Sequence, residues 1–117
     1  MLRIFVFVII VALPSIAASE TLRPITDRAS FLALIKGREL RRMGIRLVVH
    51  TDGRIEGRAL GRPVTGSWRW EDQHFCRAMQ WGDRKLDYNC QTVRLNGDAL
   101  RFTSDRGQGD HADLKLR

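Results

Sequence analysis

Residues 64–81 read Val64-Thr65-Gly66-Ser67-Trp68-Arg69-Trp70-Glu71-Asp72-Gln73-His74-Phe75-Cys76-Arg77-Ala78-Met79-Gln80-Trp81, and their reading decides the fold. Val64, Gly66, Trp68 and Trp70 alternate with Thr65, Ser67 and Arg69, a period of two that gives a strand one apolar and one wet face. A polar run, Glu71 to His74, breaks the pattern, and a second strand opens at Phe75. The stretch is therefore an antiparallel hairpin.

The same grammar extends in both directions. Upstream, Ile45, Leu47 and Val49 alternate with Arg46, Val48 and His50, and Thr51-Asp52-Gly53-Arg54 supplies an Asp-Gly turn into Ile55, Gly57 and Ala59. Gly61-Arg62-Pro63 then breaks the chain before Val64. Downstream, Phe75 to Trp81 and Asp87 to Leu95 form a pair around Gly82-Asp83-Arg84. Asn96-Gly97 turns into Ala99 to Ser104, and a polar loop from Asp105 to Asp110 leads to a last strand, Ala112 to Leu116. With a three-residue loop Trp81 faces Lys85, and counting back two by two sets Cys76 opposite Cys90. Before these strands, Thr26 can cap a helix from Asp27 to Lys36 that Gly37 stops, with Phe31, Leu32, Leu34 and Ile35 on its apolar side. One helix and about seven short strands predict a mainly β fold, an antiparallel meander closed or half-closed into a small barrel. Gly57, Gly61 and Gly66 mark bends or close approaches.

The start of the chain has a different character. Arg3 precedes an apolar run from Ile4 to Leu13, Pro14 ends it, and Ser15-Ile16-Ala17-Ala18-Ser19 offers small residues for a peptidase. This is the pattern of a signal peptide over 1–18 cleaved near Ala17 or Ala18, and the run is too short for a membrane span. Of the 117 residues, 99 then remain. They divide into a flexible mature N-terminus over 19–25 and a single β-domain over 26–117, in a periplasmic or secreted location. A chain of that size buries one modest core, which excludes a two-domain or dinucleotide-cleft enzyme. No transmembrane span follows the signal, and a monomer is expected.

Export gives the two cysteines their meaning. In an oxidising compartment an isolated pair reads most simply as one disulfide, Cys76–Cys90, worth about 3 kcal/mol for a loop of about 15 residues. A redox pair lacks the C-x-x-C spacing, and zinc would need His50, His74 or His111 to converge on the sulfurs, so no metal is expected.

Other motifs carry less. Gly107-Gln108-Gly109-Asp110-His111-Ala112 matches a G-x-G-x-x-A dinucleotide pattern, but only five residues follow it, and these alternate as a strand; no cofactor is expected. Trp68, Arg69, Trp70, Arg77, Asp105 and Arg106 form the candidate binding surface, since aromatics interleaved with arginine suit stacking and cation–π contact, although Trp68 and Trp70 share a face with Val64 and Gly66, so at least one of them is expected to pack against the helix. A catalytic alternative uses the Glu71, Asp72 and His74 turn, with Asp72 or His74 and Asp105 as acid and base; no catalytic residue is assigned. The 20 basic against 13 acidic residues give a charge of +7, but apart from Arg38, Arg41 and Arg42 the arginines are scattered. That surplus points to an envelope protein or anionic envelope component and not to nucleic acid.

In the order Trp68-Arg69-Trp70-Glu71-Asp72, Phe75-Cys76-Arg77, Trp81-Gly82, Cys90-Gln91 and Arg101-Phe102-Thr103-Ser104-Asp105-Arg106-Gly107-Gln108-Gly109, the chain resembles a group of small exported bacterial proteins. That group has no established activity. Its members often carry the automatic name dihydrodipicolinate reductase, which implies a cytosolic nucleotide-dependent enzyme; the signal segment, the size and the failed glycine motif oppose that activity here. The resemblance assigns no functional residue. The expected function is a disulfide-stapled β-module that binds or inhibits without catalysis, close in plan to small periplasmic barrel inhibitors of proteases and lysozymes. The alternatives are the small enzyme already described and a small-ligand carrier with an apolar barrel interior.

Overall fold

The computed structural model describes residues 4–12 and 22–117. Residues 4–12 adopt neither helix nor strand and are exposed, and the expected cut at Ala17 or Ala18 lies outside the described residues.

Ten strands form one antiparallel sheet: β1 (Arg23–Ile25), β2 (Leu40–Arg42), β3 (Ile45–Val49), β4 (Arg54–Ala59), β5 (Arg62–Glu71), β6 (His74–Trp81), β7 (Arg84–Lys85), β8 (Asn89–Asn96), β9 (Ala99–Thr103) and β10 (His111–Leu116). Eight of them close into a barrel. Each of β2 through β6 pairs with its successor, β6 pairs with β8, β8 with β9, β9 with β10, and β10 returns to β2 through Leu116 opposite Leu40. The closed meander predicted from alternation is the observed architecture.

Tight turns set the register. Leu60 and Gly61 between β4 and β5, and Asp72 and Gln73 between β5 and β6, all take positive φ, the backbone of two-residue hairpin turns whose twist matches the strands. At the next hairpin the structure differs from the sequence reading. Trp81 pairs with Arg84 around a two-residue turn, not with Lys85, and Leu86 N–H still follows that register by donating to Met79 O at 3.0 Å. Between Leu86 and Asn89 one residue is taken up as a bulge. From there Arg77 faces Asn89 and Cys76 faces Cys90 as predicted. The two cysteines are bonded to each other across this pair, with Cα atoms 3.9 Å apart.

Three short strands escaped the sequence reading, β7 beside the turn just described and two others. Arg23–Ile25, placed there in a flexible N-terminus, pairs with Val93 to Leu95 of β8 and buries Ile25. β8 is thus bonded to β6 along its first half and to β1 along its second. Leu40–Arg42, inside the basic cluster, supplies the closing strand.

The helix α1 (Arg28–Ile35) is capped by Asp27 and not by Thr26: Asp27 Oδ2 accepts Ser30 N–H at 2.9 Å and Oδ1 accepts the Ser30 hydroxyl at 2.7 Å. Those bonds hold the Asp27 carboxyl below its ordinary range. Phe31, fully buried, meets Trp68 edge-on at 5.3 Å, stacks on Trp70 at 5.1 Å, and touches Phe75 and Phe102 at 5.3 and 6.4 Å. α1 therefore stoppers one end of the barrel with an aromatic cluster. Gly57 and Gly66 lie deep in the sheet, where a Cβ would collide with the backbone of Arg46 and Leu47, and of Ala78 and Met79. Only glycine allows strands to approach so closely at a barrel corner.

Candidate functional site

On β6 the inward residues follow the alternation Phe75, Arg77, Met79. On β9 Phe102 is followed two residues on by Ser104; on β3 Val49, Leu47 and Ile45 descend the same way; on β2 Leu40 leads to Arg42. In each strand the first-named residue belongs to the core under α1, and the later ones run away from the helix. Along this half of the barrel the interior is open as a cavity of about 310 Å³. Its wall is apolar, with Leu40, Leu47, Val49, Ile55, Met79 and Leu114 prominent, and its polar residues are Arg42, Arg77, Gln91, Ser104, Asp110 and His111. An eight-stranded barrel is just wide enough either to fill with side chains or to hold one small ligand.

A constrained turn borders the cavity. After Ser104, Asp105 and Arg106 both have φ of 54° and Gly107 of 91°, a run of left-handed residues that costs about 1–2 kcal/mol per non-glycine position. Asn89 holds it from β8: its amide nitrogen donates to Asp105 Oδ1 at 2.8 Å, and its amide oxygen accepts Asp105 N–H at 2.9 Å. Gln108 N–H and Gly109 N–H close the turn on Asp105 O and Ser104 O. Below it, Gln91, the one buried polar side chain among the described residues, donates to Ser104 Oγ at 3.1 Å.

The residues expected to form a binding surface divide between three places. Trp68 is buried, with its indole N–H on His50 O at 2.8 Å and its ring stacked near Phe75. Trp70 is half-buried against Phe31, with its N–H on Thr26 O at 3.2 Å. Both tryptophans hold α1 in place through Phe31, and the face they share is the one the helix covers. Arg69 stays outside, donating to the Tyr88 hydroxyl at 3.1 Å and lying 3.2 Å from Glu71. Asp105 and Arg106 sit in the left-handed turn, both exposed. Arg77 alone of the six lines the cavity.

The acid–base alternative is not assembled. Among the described residues no hydrogen bond links Asp105 to Glu71, Asp72 or His74; Asp105 is taken by Asn89, Glu71 pairs with Arg69, and the buried His74 Nδ1 has no partner. Among the described residues the close grouping of ligand-type atoms at Glu71, Cys76 and Cys90 has both sulfurs in the disulfide, which removes them as thiolate ligands. The glycine pattern at Gly107 belongs to the left-handed turn and is followed by β10, not by a helix.

Sequence reasoning offered an apolar barrel interior as an alternative but did not place its polar residues Gln91 and Ser104. The inward parity of Phe75, Arg77 and Met79 was a usable signal for Arg77. Comparison with protein-family models, with curated proteins and with solved structures finds no match to this chain.

Proposed function

We propose that this protein is a non-catalytic binding module that takes a small, largely apolar molecule into the open half of its barrel, and that it works in an oxidising compartment outside the cytosol. The observation that carries the reading is the cavity of about 310 Å³, roughly twice the ~150 Å³ void that accommodates a benzene in an engineered apolar core. That is room for about ten to twelve non-hydrogen atoms, at the lower edge of ligand-pocket sizes. The apolar wall favours hydrocarbon at about 25 cal/mol per Å² removed from water. The Cys76–Cys90 bridge and the signal-like start support the compartment.

The test is a titration of methyl-labelled protein with 1-octanol, followed by NMR. Binding is expected to shift the methyl resonances of Leu47, Ile55 and Leu114 in the cavity wall while leaving the exposed Met43 and Leu60 unmoved. A cavity-filling Leu47→Phe variant should weaken the response. Uniform small shifts across the surface, or none at the cavity wall, would overturn the reading.

A further inference from the structure

Arg77 is out of place in an apolar chamber. It projects inward between Phe75 and Met79, is half-buried, and donates from Nη1 to the backbone oxygen of Asp87 at 2.6 Å. Among the described residues no carboxylate lies within ion-pair distance of its guanidinium. A neutral carbonyl satisfies one of its five N–H donors, and a guanidinium partly withdrawn from water with no ion-pair partner in contact is costly. Burial pushes its pKa down, against an opposing pull from the Asp87 charge, yet arginine stays charged. Nearby in the same wall, Ser104 Oγ accepts from Gln91, so its own hydroxyl proton is directed elsewhere. No acceptor for that proton occurs among the described residues. Arg42 adds a second positive charge to the cavity's polar lining, and Asp110 and His111 are the other ionisable groups there.

We propose that the molecule held in the barrel carries a single anionic head, a carboxylate, that pairs with the Arg77 guanidinium and accepts the Ser104 hydroxyl, with its hydrocarbon body lying along the apolar wall. The inference rests on the reading of the barrel interior as a ligand site and specifies the ligand class: a short apolar acid of about ten to twelve non-hydrogen atoms. Planar two-pronged pairing is what a guanidinium offers a carboxylate and what an ammonium does not.

Calorimetric titration near neutral pH with octanoate, 1-octanol and octylammonium separates the parts of this argument. Octanoate should bind about 10- to 100-fold more tightly than 1-octanol, the range for a hydrogen bond to a charged partner, and octylammonium more weakly than either. In Arg77→Met the octanoate advantage should shrink to within about threefold while 1-octanol affinity holds, and Arg77→Lys should recover part of it. Equal binding of octanoate and 1-octanol by the unsubstituted protein overturns the anionic head and leaves the apolar site standing. Failure of all three to bind overturns the site itself. Should Arg77→Met not fold, the ranking of the three compounds on the unsubstituted protein decides alone.

Discussion

Replacing Phe31 by alanine tests whether α1 is a structural stopper or a decoration. Phe31 is 0% exposed and touches four aromatic rings, Trp68, Trp70, Phe75 and Phe102. An aromatic residue buries about 150–250 Å², which at about 25 cal/mol per Å² amounts to roughly 4–6 kcal/mol, of which the alanine Cβ retains a part. Observed Phe-to-Ala losses in packed cores run about 3–5 kcal/mol. The ring-on-ring geometry argues against the low end, since each such pair adds about 0.5–1.5 kcal/mol beyond area. A loss of about 4 kcal/mol is therefore expected. For a domain of this size each kcal/mol moves the melting temperature by about 4–8 °C, so a fall of roughly 20 °C should be seen by calorimetry, with a matching drop in the urea midpoint. Near-UV dichroism should weaken too, because Trp68 and Trp70 lose the ring that orders them. Met43→Ala is the control; at 97% exposed it should change stability by no more than about 0.5 kcal/mol. If Phe31→Ala costs under about 1.5 kcal/mol, the helix is not packed as a stopper, and the closed end of the cavity would have to be explained by the strands alone.

Two further outcomes follow from the same geometry. Reduction of Cys76–Cys90, which closes a loop with a sequence separation of 14, should cost about 3 kcal/mol; an identical melt with and without reductant would show that the bridge does not constrain the unfolded chain. Asp113 receives two hydrogen bonds from Arg101, at 2.8 and 3.0 Å, which hold its carboxyl below the ordinary 3.8. A depressed carboxylate stabilises the fold fully above its unfolded value and loses that contribution as pH falls through the folded one. Asp113→Asn should therefore flatten the stability profile below about pH 4, and a profile as steep as that of the unsubstituted protein would refute the pairing.

The parts of this structure that could be read from sequence are those governed by local periodicity. Alternation across Val64 to Trp81 named both the strands and their inward faces, and it placed Cys76 against Cys90 even though the assumed turn was one residue too long. The bulge after Leu86 restored the count, so the pairing came out right by a different path. Three-residue strands such as Arg23–Ile25 and Leu40–Arg42 are too short to show a period, and one of them contains a proline and the other two arginines. Sharing a face with Val64 and Gly66 marked at least one of Trp68 and Trp70 for the helix, but that Phe31 would touch both rings depended on how α1, about forty residues earlier, seats on the barrel. The left-handed turn at Asp105 and Arg106 depends on Asn89, 16 residues away, where no glycine or proline signal could announce it. Nor does alternation report a void: whether an eight-stranded barrel is full or hollow depends on the summed bulk of inward side chains after closure.

The seam between β10 and β2 has a consequence for how the molecule assembles. Every other neighbouring pair in the barrel is joined by a short connection, so the meander can grow hairpin by hairpin, whereas Leu40 meets Leu116 only after nearly the whole intervening chain is in place. Pairing across such a separation is slow, because loop entropy must be overcome before the contact forms. Until then the sheet is an open curl with two bare edges, Leu40–Arg42 and His111–Leu116, each able to pair with another copy. Arg41 and Arg42 stand on the first of those edges, where charge disfavours pairing with a second copy during the interval. The Cys76–Cys90 bond lies within a single hairpin and does not depend on the seam, so oxidation can lock the centre of the sheet while its margins are still searching for each other.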